Sequence, residues 1–122
     1  AICQQLPARK TLFEGSEKHL RSFTFVDDIV DGLVSVIGKE EAVNKEVFNL
    51  GTETESTTQQ GIDAVEQLTG KKINIVVVPK RAGDQLRTQA VIDKARTVLG
   101  YNPSTTLQEG IRKHIAWCEQ NK

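Results

Sequence analysis

The apolar patterns along this chain predict an α/β fold, and three observations carry that expectation. Residues 21–26 alternate, with Phe23 and Phe25 on one side and Ser22 and Thr24 on the other, as a half-buried strand does. A helical stripe of Ile29, Val30, Leu33, Val34 and Ile37 follows, and then Val47, Phe48 and Leu50 mark a second strand at 46–50. Strand, helix and strand in that order make a right-handed crossover, so the two strands are expected to be parallel. The second observation is the run 73–78, which is nearly all β-branched and reads as a strand buried on both faces. The third is a pair of capping-box spacings, Ser56 with Gln59 and Thr106 with Glu109, each opening an amphipathic helix.

Taken in order, the chain starts with a short helical stretch at 2–6 and a strand at 11–15. Asp27 and Asp28 stand where the positive end of the first long helix favours negative charge, and Gly38 stops that helix. After a charged loop and the strand at 46–50, the polar stretch 52–56 leads to a helix striped by Ile62, Val65 and Leu68 and ended by Gly70. Pro79 stops the β-branched strand, and Gly83 permits a tight turn before the short strand 86–88. Val91, Ile92, Ala95, Val98 and Leu99 form the apolar face of a short helix closed by Gly100. Leu107, Ile111, His114, Ile115 and Cys118 stripe the last helix. With no repeat, low-complexity tract or linker, residues 1–122 are expected to form a single compact domain.

Composition removes several classes of function. Lys plus Arg equals Asp plus Glu at 16 each, so neither a basic stripe for nucleic acid nor an electrostatic membrane surface is expected. No apolar run approaches the roughly 18 residues that a bilayer span needs. The opening AICQQLPARK lacks the basic-then-apolar order of a signal peptide. Cys3 and Cys118 are too few and too distant for a disulfide scaffold or a zinc site, and they read as reduced thiols of a cytoplasmic protein. His19 in a polar loop and His114 on a helix have no partners at metal spacing, so no metal site is expected.

Between Val76 and Cys118, a strand runs into Lys-Arg-Ala-Gly-Asp, then into a helix ending Leu-Gly-Tyr-Asn-Pro, then into a capped helix carrying Trp117. Upstream, LFEGSEKHLRSFTFVDDIVDG (12–32) holds an arginine opening a strand that ends in Asp-Asp. From near residue 10 to the end, the sequence resembles the C-terminal half of the extended short-chain dehydrogenases/reductases, the NAD-dependent nucleotide-sugar epimerases and dehydratases. The resemblance implies a βαβ edge of a Rossmann-type parallel sheet plus the small α/β substrate-binding lobe of that family. It also implies that Arg21 clamps the diphosphate of a nucleotide sugar, a task suited to the forked donors of an always-charged guanidinium. By the same resemblance Arg81 is the second clamp, and Asp84 holds its loop or reaches the ribose. Thr11, Leu12 and Phe13 match the segment that lies along the nucleobase. Other readings stay open: Arg21 as an arginine at the start of an exposed strand, Phe13 as plain core, and Asp84 as a turn residue bonding its own backbone. Asn49 in FNLGT matches a common family motif and reads as structural.

Three positions depart from the family pattern: Ser22 and Val91, where aspartate is more usual, and Ala82, where proline is. LFEGSE is similar to the heptose-nucleotide epimerases, whereas GDQLRT leans toward the hexose epimerases. Two features of the family chemistry are missing. Gly32, Gly38, Gly51 and Gly61 do not form the Gly-rich turn that receives a dinucleotide pyrophosphate. Tyr101 is followed four positions later by Thr105, so no Tyr-x-x-x-Lys pair exists. This chain is therefore expected to hold no catalytic residue and to bind no cofactor alone, NAD being implied for a full-length parent. Its expected function is the nucleotide-sugar-binding portion of an NAD-dependent epimerase/dehydratase. A stand-alone, non-catalytic nucleotide- or protein-binding module and a self-associating remnant are the alternatives. Expected partners are a nucleotide diphosphate sugar, bound weakly, and either a second copy or the missing N-terminal half. Phe48, Leu50 and the Phe23/Phe25 surface are expected to be the open contact area.

Overall fold

The computed structural model describes residues 9–121; the helix expected at 2–6, with Cys3, lies outside them. Strand β1 (Arg9–Phe13) leads through a 3-10 turn (Ser16–Lys18) to β2 (Leu20–Arg21), α1 (Val26–Val34) and α2 (Glu40–Val43). Then come β3 (Ser56–Thr57), α3 (Thr58–Thr69), β4 (Asn74–Val78), β5 (Arg87–Thr88), α4 (Asp93–Leu99) and α5 (Leu107–Gln120). The chain is α/β with parallel strands, in two small sheets. In one, β1 and β4 run parallel, with Arg9 opposite Asn74 and Phe13 opposite Val78. In the other, β2 lies between antiparallel β3 and parallel β5.

The two strands that alternation suggested do not pair with each other. Residues 22–25 and 46–50 form no ladder among the described residues. Side chains hold each segment instead. The Thr52 amide donates to Thr24 Oγ1 at 3.1 Å, and Asn49 Nδ2 and Lys94 Nζ donate to the carbonyls of Val91 and Val47. Phe48 and Leu50 face the core, and that packing accounts for their apolar pattern without a sheet. β4 is also less covered than its composition suggested. With β1 as its one neighbour among the described residues, it leaves Val77 exposed.

Helix α1 forms where the stripe predicts, and turns continue it to Ile37, whose amide donates to the Val34 carbonyl at 3.0 Å. Its apolar stripe, however, does not cover a sheet. Val26, Val30, Leu33 and Val34 are exposed, and Ile37 keeps 76% of its surface. The helix instead turns Gly32 inward, where a Cβ would stand 2.8 Å from Leu50 Cδ1 and 3.0 Å from Tyr101 Cε2. The smallest residue thus sets the side of closest approach. The core this builds is Ile92, Ala95, Leu99 and Tyr101, flanked by Phe48, Leu50, Val36 and Val98. Phe48 and Leu50, expected to be open, are thereby partly buried. A smaller cluster places Ala64 and Val65 of α3 and Cys118 of α5 out of solvent, Cys118 as a free thiol.

The caps are local and fall close to the expected positions. α3 opens one residue late: the Gln60 amide donates to Thr57 Oγ1 at 3.1 Å, and the Thr57 amide donates back to Gln60 Oε1 at 2.7 Å. Thr57 rather than Ser56 is thus the cap, and both residues lie in β3. At α5, Thr106 caps as expected, accepting from the Glu109 amide at 3.2 Å. The Glu109 carboxylate grips Arg112, whose hydrogen bonds hold it below the usual carboxylate range. α4 starts at Asp93 with no side-chain cap, and the left-handed Gly100 (φ 73°) ends it.

Candidate functional site

Two strand registers bring the predicted binding residues together. Because Phe13 and Val78 are partners at the ends of β1 and β4, the loop after β4 turns back over Phe13. Gly83, at φ 76°, permits that reversal. In the second sheet the Leu20 amide donates to the Leu86 carbonyl at 3.0 Å, which sets Asp84 beside Arg21. The resulting cluster centres on the Asp84 carboxylate, whose side chain is 11% exposed. Arg81 Nη2 lies 3.1 Å from Asp84 Oδ1, Arg21 Nη2 lies 3.7 Å from the same oxygen, and His19 Nδ1 stands 3.6 Å from Oδ2.

The two arginines are held differently. Arg21 is fixed by backbone: Nη1 donates to the Leu20 carbonyl at 2.8 Å and Nη2 to the Gln85 carbonyl at 2.7 Å. Arg81 is 61% exposed, and its guanidinium lies over the Phe13 ring, 5.1 Å from the centroid. Two guanidiniums against one carboxylate leave one positive charge in excess at a half-open surface. Such a surface can hold an anion with forked, charge-assisted donors. As ion pairs these contacts add little to stability, since exposed pairs are worth about 0–1 kcal/mol.

Of the five residues singled out, Phe13, Arg21, Arg81 and Asp84 meet here. Thr11 is set apart: it is exposed, opposite Val76 on β1, and borders an apolar groove of about 460 Å³ lined by Phe25, Ile62, Ile75 and Ile111. His19 is the residue the sequence hid. It follows the polar stretch Ser16–Lys18, yet it is 5% exposed, and its backbone carbonyl accepts from the Thr58 amide at 3.2 Å. Asp28 is likewise no simple helix-end charge. It is buried and bonds the backbone and hydroxyl at the approach to α5.

Beside the cluster, Arg87 grips Glu55 through two hydrogen bonds of 2.7 and 2.6 Å, tying β5 to the loop before β3. Those bonds hold the Glu55 carboxyl below its usual range. Tyr101 is far from any reactive setting. It is 3% exposed, burial pushes its hydroxyl pKa up, and the opposing Gly51 backbone falls short of a hydrogen bond to it. Gly32 sits inside α1 against Leu50, Gly61 sits inside α3, and a Cβ on Gly51 would stand 3.1 Å from Ala90. None opens a strand-to-helix turn to a pyrophosphate. Among the described residues no group of three or more His, Cys, Asp or Glu could hold a metal, and no helix is long and apolar enough to cross a membrane.

Comparison with known proteins gives one consistent result. The profile of a family described as GDP-mannose 4,6 dehydratase matches residues 1–114. An uncharacterized protein, MJ1055, of Methanocaldococcus jannaschii is 35% identical over 102 residues, covering 84% of this chain and 31% of its own length. The UDP-glucose 4-epimerase of Mycolicibacterium smegmatis is 34% identical over 110 residues, covering 90% of this chain and 34% of its own. The crystal structure of UDP-glucuronic acid 4-epimerase from Bacillus cereus, in complex with UDP-glucuronic acid and NAD, superposes with a TM-score of 0.84. It is 26% identical, and the match covers 96% of this chain and 37% of that one. The chain thus spans about a third of the length of these relatives.

Proposed function

Because this chain belongs to the extended short-chain dehydrogenases/reductases, among the NAD-dependent nucleotide-sugar epimerases and dehydratases, we propose that it is the nucleotide-sugar-binding portion of such an enzyme. Arg21 and Arg81 clamp the diphosphate, Asp84 holds the two guanidiniums together, and Phe13 lies toward the nucleoside. The observation that carries the reading is the convergence of Arg21, from β2, and Arg81, from the loop between β4 and β5, on one carboxylate. The relatives add support, since the Bacillus cereus epimerase is described with UDP-glucuronic acid and NAD. Hydride chemistry on NAD would fall to residues outside this chain, because the glycines present do not form a cofactor turn.

Titration with nucleoside diphosphates in the absence of any dinucleotide tests this. Binding in about the millimolar range is expected from a site with few preorganised contacts. Arg21→Ala and Arg81→Ala should each remove roughly 1.5–3 kcal/mol of it. Binding that ignores both substitutions would sink the clamp.

A second reading is favoured by the bare stripe of α1. Val26, Val30, Leu33, Val34 and Ile37 make a contiguous apolar face suited to another protein surface, either a second copy or the remainder of an epimerase fold. The two readings are compatible: one concerns the cluster at Asp84 and the other the opposite use of a helix face.

A further inference from the structure

The Asp84 carboxylate has two sides. Oδ1 faces the arginines, with Arg81 Nη2 at 3.1 Å and Arg21 Nη2 at 3.7 Å, and Oδ2 faces His19 Nδ1 at 3.6 Å. That last separation exceeds a hydrogen bond but suits a charge–charge interaction, with both side chains largely out of solvent. While the ring is neutral, two guanidiniums face one carboxylate and the cluster carries one positive charge. Protonation of the ring makes it two. The other elements around His19 bring charges that are balanced or engaged. Glu17 and Lys18, on its own turn, are of opposite sign. On β1, Lys10 borders the apolar groove, and Glu14 beyond it is exposed. The first turn of α3, whose Thr58 amide bonds the His19 carbonyl, is uncharged. Farther along α3, Asp63 accepts from Gln59 and Glu66 pairs with Lys72. On β5, Arg87 pairs with Glu55.

We propose that His19 is a positioning residue of the clamp: its protonated ring takes up the charge of Asp84 and frees the two guanidiniums for a diphosphate. The proposal rests on the reading of Arg21 and Arg81 as a diphosphate clamp and adds to it a regulation by pH. The neutral ring leaves the carboxylate to compete with phosphate for the same N–H donors and to repel its charge. The ring takes its proton from solvent, so binding tightens as pH falls through the imidazole range. By linkage, bound diphosphate favours the protonated ring to the same degree.

UDP-glucose is the probe, because its diphosphate is a diester whose charge does not change across the imidazole range of about pH 5 to 8. The native chain should bind it about three- to tenfold more tightly at the acid end than at the alkaline end. That is the size expected of one unit charge acting across several ångströms at a half-open surface. His19→Gln should abolish the rise, and an equal rise in His19→Gln overturns the proposal. A second measurement leaves His19 in place. The chain has two histidines, so His114→Gln, a change at an exposed position of α5, leaves His19 as the one ring to follow. At the pH where the free ring is half protonated, its Cε1–H resonance should move toward the protonated position as UDP-glucose saturates the chain. A resonance that stays in place or moves toward the neutral position overturns the proposal. The clamp reading fails separately. Binding insensitive to both Arg21→Ala and Arg81→Ala at either pH removes the clamp and the role of His19 with it, whereas a failure at His19 alone leaves the clamp standing.

Discussion

The Asp28 carboxylate, buried at the first turn of α1, accepts a hydrogen bond from the Thr105 hydroxyl at 3.1 Å across 77 positions of sequence. The Thr105 and Ser104 amides donate to the same carboxylate at 3.3 and 3.4 Å. One side chain thus joins the start of α1 to the approach of α5 and satisfies backbone donors that no helix ladder reaches.

Asp28→Ala should therefore lower stability by about 1.5–3 kcal/mol, the cost of losing charge-assisted hydrogen bonds at a half-buried joint. A urea midpoint unchanged within about 0.5 kcal/mol would show that these long bonds contribute nothing.

Tyr101→Phe should have the opposite sign. The hydroxyl is buried without a hydrogen-bond partner, so removing it should stabilise the chain by about 1 kcal/mol or leave it unchanged. Burial, the largest cause, raises the Tyr101 pKa, with Asp28 and Asp31 adding to the rise and the Gly51 backbone opposing it. The fold's preference for the neutral phenol is present at neutral pH and is lost as pH rises through the raised value. The native chain should thus lose stability at alkaline pH more steeply than Tyr101→Phe, in paired urea series. Equal slopes would discard this account of Tyr101.

Glu55 titrates in the other direction. Its pKa is lowered, first by the Arg87 hydrogen bonds, so the tie between β5 and the loop before β3 is present above the ordinary glutamate range. It is lost as pH falls through the lowered folded-state value. Amide exchange at Arg87 and Thr88 should speed up in that acid window, and Glu55→Gln should flatten the dependence. Exchange that rises with acid equally in both forms would assign the effect to other carboxylates.

The stripe on α1 predicts association. In sedimentation at low micromolar concentration, the chain should run as a dimer or larger, burying about 1,000 Å² or more in total. Leu33→Glu with Val34→Glu should shift it to monomer, since both side chains lie exposed on the stripe. A native chain that sediments as a monomer would end the idea that this face is a contact surface.

Local features were legible in the sequence. The helices at 58–69, 93–99 and 107–120 follow from apolar period, cap residues and closing glycines that act within a few positions. Beyond Arg21, the strands expected at 21–26 and 46–50 do not form, because alternation reports which side is apolar, not whether a partner backbone lies alongside. Phe48 and Leu50 satisfy the pattern by packing on α4 and Tyr101. His19 gave no signal at all, since its burial comes from Asp84 and from the backbone bond to Thr58, both distant in sequence.

The sequence by itself determined the α/β class, the helices and their ends, and the residue types able to hold a diphosphate, because periodicity, capping and side-chain chemistry are short-range properties. Only the tertiary structure decided that Arg21, Arg81 and Asp84 share one place, that Phe13 lies beneath Arg81, and that α1 turns Gly32 inward and its apolar stripe outward. Those facts depend on the registers of β1 with β4 and β2 with β5, pairings between distant segments whose geometry no local pattern encodes.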